Sequence, residues 1–199
     1  MKKRKKHKTR PDKSGQGNVY IALLHNPVYN KNKETVTTSI TGFDLHDISR
    51  SALTYGITRY YVINPLEAQR QFAARIINCW KRGESFKFNP TRANAFKILK
   101  LVSQLDDVLN DIEEETGELP RIISTSAKAS AGIRFKKMRL MMEKSRRPYL
   151  ILFGTGWGLA KEIIDRSDII LEPIVGRTEY RHLSVRSAVA IVLDRLFGQ

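Results

Sequence analysis

The sequence predicts an α/β protein, a mainly parallel sheet flanked by helices, and three observations predict it. Short apolar runs such as Val19-Tyr-Ile-Ala-Leu-Leu24 and Tyr149-Leu-Ile-Leu-Phe153 carry no polar alternation, the pattern of strands covered on both faces. Longer segments between them repeat apolar residues every three or four positions, as amphipathic helices do. The two kinds of segment alternate, most regularly after Pro120, and alternation of strand and helix implies parallel βαβ units.

The elements follow in order. A strand over 19–24 opens the folded unit after the Gly-containing hinge at 14–17. Residues 26–41 are polar and contain Asn26-Pro27, so they read as a long loop or a small hairpin. Asp44 or Asp47 can cap a helix that runs to Tyr55 and stops at Gly56. A short strand, Tyr60-Tyr-Val-Ile63, precedes a helix over 66–82 that closes at Gly83. One long helix is expected over 91–116, with Phe96, Leu99, Val102, Leu105 and Leu109 on one side and acidic residues concentrated late. Strands at 121–124, 149–153 and 168–171 then alternate with helices at 134–145, 159–165 and 184–197.

Length and composition bound the function. The chain has 199 residues, 41% of them hydrophobic, enough for one folded domain, 18–199, behind a basic arm, 1–17. The net charge of +15 points to an extended polyanion as partner. Much of that excess sits in the arm, which carries no apolar residue after Met1 to anchor it and should be disordered without a partner. No apolar stretch follows the arm as in a secretory signal, and none approaches the roughly 20 residues that span a bilayer. A cytoplasmic protein with no membrane partner is therefore expected. Cys79 is the single cysteine, which leaves no disulfide and no CxxC clip; beside Ile76, Ile77 and Trp80 it should be buried. No metal site is expected, and His25, His46 and His182 read as hydrogen-bonded structural groups.

Ligands of parallel sheets bind at the loops leaving the carboxyl ends of strands. Three loops qualify, 124–132, 154–158 and 172–184. The second is the most informative, because strand 149–153 breaks into Gly154-Thr-Gly-Trp-Gly158, where small residues allow close backbone approach. It matches neither a P-loop nor a complete GxGxxG fingerprint, so it reads as a ligand loop or a structural turn. The third follows Ile170-Leu-Glu-Pro-Ile174 and ends at Ser184, a plausible N-cap. Arg134, Lys136, Lys137, Arg139, Lys144, Arg146 and Arg147 form a second basic concentration, around a helix that is also expected to expose Met138, Met141 and Met142 to one side or another; its charges suit an RNA backbone or plain solvent.

Together the strand and GTGWGL turn, the LEPI strand and the helix His182-Leu-Ser-Val-Arg-Ser-Ala-Val-Ala-Ile-Val-Leu-Asp-Arg-Leu196 resemble the SPOUT class of RNA methyltransferases. The resemblance is closest to the branch related to tRNA (guanine-N1) methyltransferase and covers residues 19–197. It implies a deep trefoil knot in the C-terminal third, a homodimer, and S-adenosylmethionine as methyl donor, with S-adenosylhomocysteine as product. Carried over, the cofactor residues are Thr125 and Ser126; Phe153, Gly154, Thr155, Gly156, Trp157, Gly158 and Leu159; Leu171, Pro173 and Ile174; and Leu183, Ser184, Val185 and Ser187. The acceptor is expected in tRNA or rRNA, at a base or a ribose. The alternative is an RNA- or ribosome-binding protein that keeps the fold without turnover.

Three residues are candidates for catalysis. The segment from Asp44 to Gly56 is similar to the family's first motif, an Asn followed six residues later by Arg. Arg50 matches the Arg, whereas Asp44 stands where Asn is usual. Asp44 is either a base toward the acceptor or an N-cap, and Arg50 either binds phosphate and developing charge or is a surface group. Glu172, at a strand end, is a base or a backbone acceptor.

Overall fold

The computed structural model describes residues 17–81, 87–129 and 131–199. The expectations for the basic arm before Gly17, and for a helix end at Gly83, lie outside the described residues.

Six strands form one sheet: β1 (Val19–Leu24), β4 (Arg59–Ile63), β5 (Leu99–Val102), β6 (Arg121–Ser124), β7 (Tyr149–Gly154) and β8 (Ile169–Ile170). Their order is β5-β4-β1-β7-β6-β8, and every pairing in it is parallel. Both faces are covered, as the unbroken apolar runs require. Along β1, Ile21 and Leu23 enter one core while Tyr20, Ala22 and Leu24 enter the other. The first core is closed by α1 (Gly42–Thr54), α2 (Glu67–Lys81), α5 (Phe135–Glu143) and α7 (Val185–Phe197); the second by α4 (Leu105–Thr116) and α6 (Lys161–Asp165). The segment after β1 is a small hairpin, β2 (Val28–Tyr29) against β3 (Thr35–Val36).

The single helix expected over 91–116 is not formed. A short helix α3 (Pro90–Ala95) and a 3-10 turn lead into β5, and only then does α4 begin. Leu99 and Val102 pair with Tyr60 and Ile63 of β4, so tertiary pairing overrides a spacing that strand and helix share at the junction. Asp107 fixes the true start of α4, accepting from the backbone N–H groups of Ser103 and Gln104, both at 3.1 Å.

Three smaller expectations also change. Cys79 is exposed, because the buried stripe of α2 runs through Ala73 and Ile77 and a residue two positions beyond Ile77 is turned roughly 200° from it. Met138 and Met142 are buried rather than presented outward. The cap of α1 is neither Asp44 nor Asp47 but Thr41, whose hydroxyl accepts from the Asp44 N–H at 3.2 Å. The helix thus starts earlier than expected and places Asp44 in its first turn.

Candidate functional site

A cleft of about 690 Å³ opens at the carboxyl ends of β6, β7 and β8. That volume lies within the roughly 300–1,000 Å³ of small-molecule sites. It gathers Thr125 and Ser126 after β6, Phe153 through Gly158 at the end of β7, Leu171 through Ile174 after β8, and Leu183 through Val185 at the start of α7. Of the residues expected to touch a cofactor, Leu159 and Ser187 do not line it. Leu159 turns inward and bridges to Val28, and Ser187 gives its N–H to the capping Ser184 hydroxyl.

The glycine turn is both a fold element and a cleft surface. Thr155 N–H donates to Leu24 O at 3.1 Å and Trp157 N–H to Tyr29 O at 2.9 Å, pinning the turn across the start of the hairpin. Gly156 has φ +58°, and a Cβ there would stand 2.8 Å from Tyr29 O. Gly158 has φ +105° with open space before it, while its N–H donates to Thr155 O at 3.0 Å and its O accepts from Tyr29 N–H at 2.9 Å.

Residues 38–44 supply the facing side, a stretch for which the sequence offered no individual site residue except Asp44. Thr38, Ser39, Thr41 and Asp44 all line the cleft. Asp44 is 7% exposed; its Oδ2 accepts from the Thr41 hydroxyl at 2.6 Å, and Arg186 Nε stands 3.5 Å from Oδ1. Burial raises its pKa, while the Thr41 bond and Arg186 pull it back. The net upward shift brings the carboxylate closer to proton transfer near neutral pH.

Behind Thr38 lies His25, fully buried. Its Nδ1 is 3.0 Å from the Thr38 hydroxyl, which is 2.5 Å from the Thr155 hydroxyl, which donates to Leu24 O at 3.0 Å. A chain with His25 Nδ1–H donating, then Thr38, then Thr155, uses every proton once. His25 Nε2 has no hydrogen-bond partner among the described residues, and a bare acceptor there costs less than a buried orphan N–H. Burial holds the imidazole pKa down to about 4, so His25 is neutral and knits the two sides of the cleft together. His46, by contrast, packs edge-on against Trp80 and Phe96.

The other two catalytic candidates fall elsewhere. Glu172 lines the cleft, but its Oε1 accepts from the Phe135 N–H at 2.7 Å, satisfying the first turn of α5. Arg50 is exposed on α1 and does not line the cleft. The rim holds groups that local motifs did not reveal: Lys128, Glu179, Arg181 and His182. They belong to loops already suspected as ligand loops, yet no spacing rule selects them. Away from the cleft, Arg134, Lys136, Lys137, Lys144, Arg146 and Arg147 are exposed, while Arg139 is tied to Leu196 O. No helix among the described residues is long and apolar enough to cross a membrane.

Comparison with known proteins agrees with this geometry. Residues 18–198 match the family described as SAM-dependent RNA methyltransferase. An uncharacterized protein of Aquifex aeolicus is 44% identical over 92% of this chain and 89% of its own length. A tRNA (guanine-N(1)-)-methyltransferase of Oleidesulfovibrio alaskensis is 40% identical over 96% of this chain, but the chain spans only 44% of that protein. Among solved structures, the SpoU methyltransferase AviRb from Streptomyces viridochromogenes, in complex with AdoMet, superposes with a TM-score of 0.57 at 14% identity, covering 95% of this chain and 62% of that one. A likeness at that identity speaks for the fold, and the family match, spanning nearly the whole described chain, speaks for more. With its parallel sheet and its cleft at the strand ends, the chain belongs to the SAM-dependent RNA methyltransferase family.

Proposed function

We propose that the protein methylates a nucleotide of tRNA or rRNA, binding S-adenosylmethionine against residues 125–126, 153–158, 171–174 and 183–185 and activating the acceptor with Asp44. The observation that carries this reading is the sharing of one cleft by the glycine turn and the buried Asp44 carboxylate. Main-chain groups of the turn and the apolar side chains of Phe153, Leu171, Ile174 and Leu183 suit an adenosine moiety, and the carboxylate of Glu179 suits a sulfonium charge. When bound, the cofactor supplies an activated methyl group. The protein's own part is to orient the acceptor, remove its proton and keep water out. Asp44 Oδ1 is the proton acceptor, while the Thr41 hydroxyl and Arg186 keep the carboxylate aimed. Glu172 is a positioning residue that locks the strand end to α5.

The name of the Oleidesulfovibrio relative belongs to a protein more than twice as long, so guanine N1 is one candidate acceptor atom beside other base and ribose positions. The reading includes the C-terminal knot, supported by the return of residues 171–184 from edge strand β8 to α7, which packs beside α1 and α5. It also includes a homodimer, supported by Phe43 at 70% exposure on the same helix pair. Arg50, outside its own cleft, then acts on RNA bound at the partner's. The reading also includes a cytoplasmic location, with which an RNA substrate is compatible.

The test compares wild type with Asp44→Asn, which keeps the shape and an oxygen for the Thr41 hydroxyl. Calorimetry should give the same S-adenosylmethionine affinity for both proteins. Methylation of a bulk tRNA and rRNA pool should fall by about 10²–10⁴, the usual contribution of a general base. An unchanged rate would remove Asp44 as base.

A further inference from the structure

We infer that three aromatic rings at the mouth of the cleft, Trp157, His182 and Tyr180, form a stacking platform for an unpaired RNA base. The inference rests on the RNA methyltransferase reading and adds to it what the RNA must look like where it meets the protein.

The rings come from separate segments, Trp157 from the turn after β7 and the other two from the loop between β8 and α7. They nevertheless meet edge to face, with centroids 6.0 Å apart for Trp157 and His182 and 5.7 Å for Tyr180 and His182. None of the three belongs to either apolar core. Trp157 is 49% and Tyr180 73% exposed, so stability does not account for the cluster, and apolar surface left open at a cleft mouth marks a binding site. Cations lie among the rings: Lys128 Nζ is 5.4 Å from the Trp157 ring centre, and Arg181 lines the same rim, with Glu179 the acid beside them. Rings interleaved with cations fit single-stranded nucleic acid, whose bases offer π-faces and whose phosphates offer negative charge. A paired base hides its faces in the stack and exposes only edges, so only an unpaired or extruded base can use these rings. The platform also stands where an extruded acceptor would enter, beside the glycine turn.

Two measurements test the platform. The chain has two tryptophans, so a Trp80→Phe variant reports from Trp157 alone. Titrated while saturated with S-adenosylmethionine, it should show quenched emission with a short single-stranded RNA. Binding should be about tenfold weaker for the same RNA annealed to its complement, and for an oligomer of abasic units with equal phosphate count. Equal affinity for the abasic oligomer would overturn the inference, leaving only charge. Tyr180→Ala should weaken single-stranded RNA binding about tenfold, Tyr180→Phe should restore it, and neither should change S-adenosylmethionine affinity. Equal loss of cofactor affinity in Tyr180→Ala would overturn it as well, assigning the loop to the cofactor. Failure of the methyltransferase reading is seen separately, as absence of S-adenosylmethionine binding by the wild-type chain.

Discussion

The two sides of the cleft are made of different material. Apart from Glu172, whose carboxylate is taken up by Phe135 N–H, residues 153–158 and 171–174 present mainly main chain and apolar side chains, held by backbone hydrogen bonds such as Trp157 N–H to Tyr29 O. Residues 38–44 present side-chain oxygens, the hydroxyls of Thr38 and Thr41 and the carboxylate of Asp44. A surface built of backbone tolerates most side-chain changes but fails where an added atom has no room. One built of side chains keeps its shape under substitution but loses its chemistry with a single atom. Changes on the first side should therefore act on folding and cofactor affinity, and changes on the second on rate.

The largest expected effect breaks the backbone-built side. Gly156→Val places a branched residue at φ +58° with its Cβ 2.8 Å from Tyr29 O. Strain and overpacking together cost about 2–6 kcal/mol. Chemical denaturation should show that loss, and calorimetry should show S-adenosylmethionine binding abolished or weakened severalfold even where the variant stays folded. Full binding by a stable Gly156→Val protein would mean that the turn's backbone does not shape the cofactor surface.

A smaller effect tests the knit between the sides. His25 is neutral when folded, with its pKa held down to about 4 from 6.5 by burial. The unfolded chain therefore binds more protons between those values, and stability falls as pH drops through that window. It is complete above pH 6.5 and lost by pH 4, a difference of about 3 kcal/mol. Urea unfolding at pH 7.5 and 4.5 should show it, and His25→Gln should flatten the difference. Asp44, whose pKa is raised from 3.8, shifts stability the other way as pH falls toward 3.8; that contribution is common to wild type and His25→Gln, so the difference between the two profiles isolates His25.

The contrast between the sides also explains what the sequence could tell. The backbone-built side was legible because its needs are local: three glycines in five residues after an apolar strand, and Ser184 ahead of a helix, are visible without the fold. The side-chain-built side was not, apart from Asp44, because Thr38 reaches His25 through the return of the hairpin and Thr155 reaches them through the pairing of β1 with β7. Helix α4 and strand β5 were misread for the same reason, since Phe96, Leu99, Val102 and Leu105 keep helical spacing while the partner of Leu99 lies on β4. Glu172 looked like a possible base until Phe135, 37 residues earlier in the chain, proved to be its donor. Cys79 shows the converse, a local neighbourhood of apolar residues that faces outward once the helix is turned onto its core.

The smallest effect should leave both sides of the cleft untouched. Lys136 and Lys137 on α5 and Lys144 at its C-cap are exposed, and positions i, i+1 and i+8 fall within roughly 100° of one another on a helix, opposite buried Phe135, Met138 and Met142. Replacing the three with Gln removes three charges and no core contact. If that face follows an RNA backbone, the slope of log affinity against log salt should shrink by about 2–3, because each phosphate contact contributes about 0.7–0.9. The S-adenosylmethionine affinity and the rate at saturating RNA should stay as in wild type, since neither depends on a surface outside the cleft. An unchanged slope would return these lysines to solvent and leave RNA affinity to the cleft rim and the basic arm. A changed saturated rate would show that α5, through Phe135 and Glu172, transmits more to the cleft than the two-sided description allows.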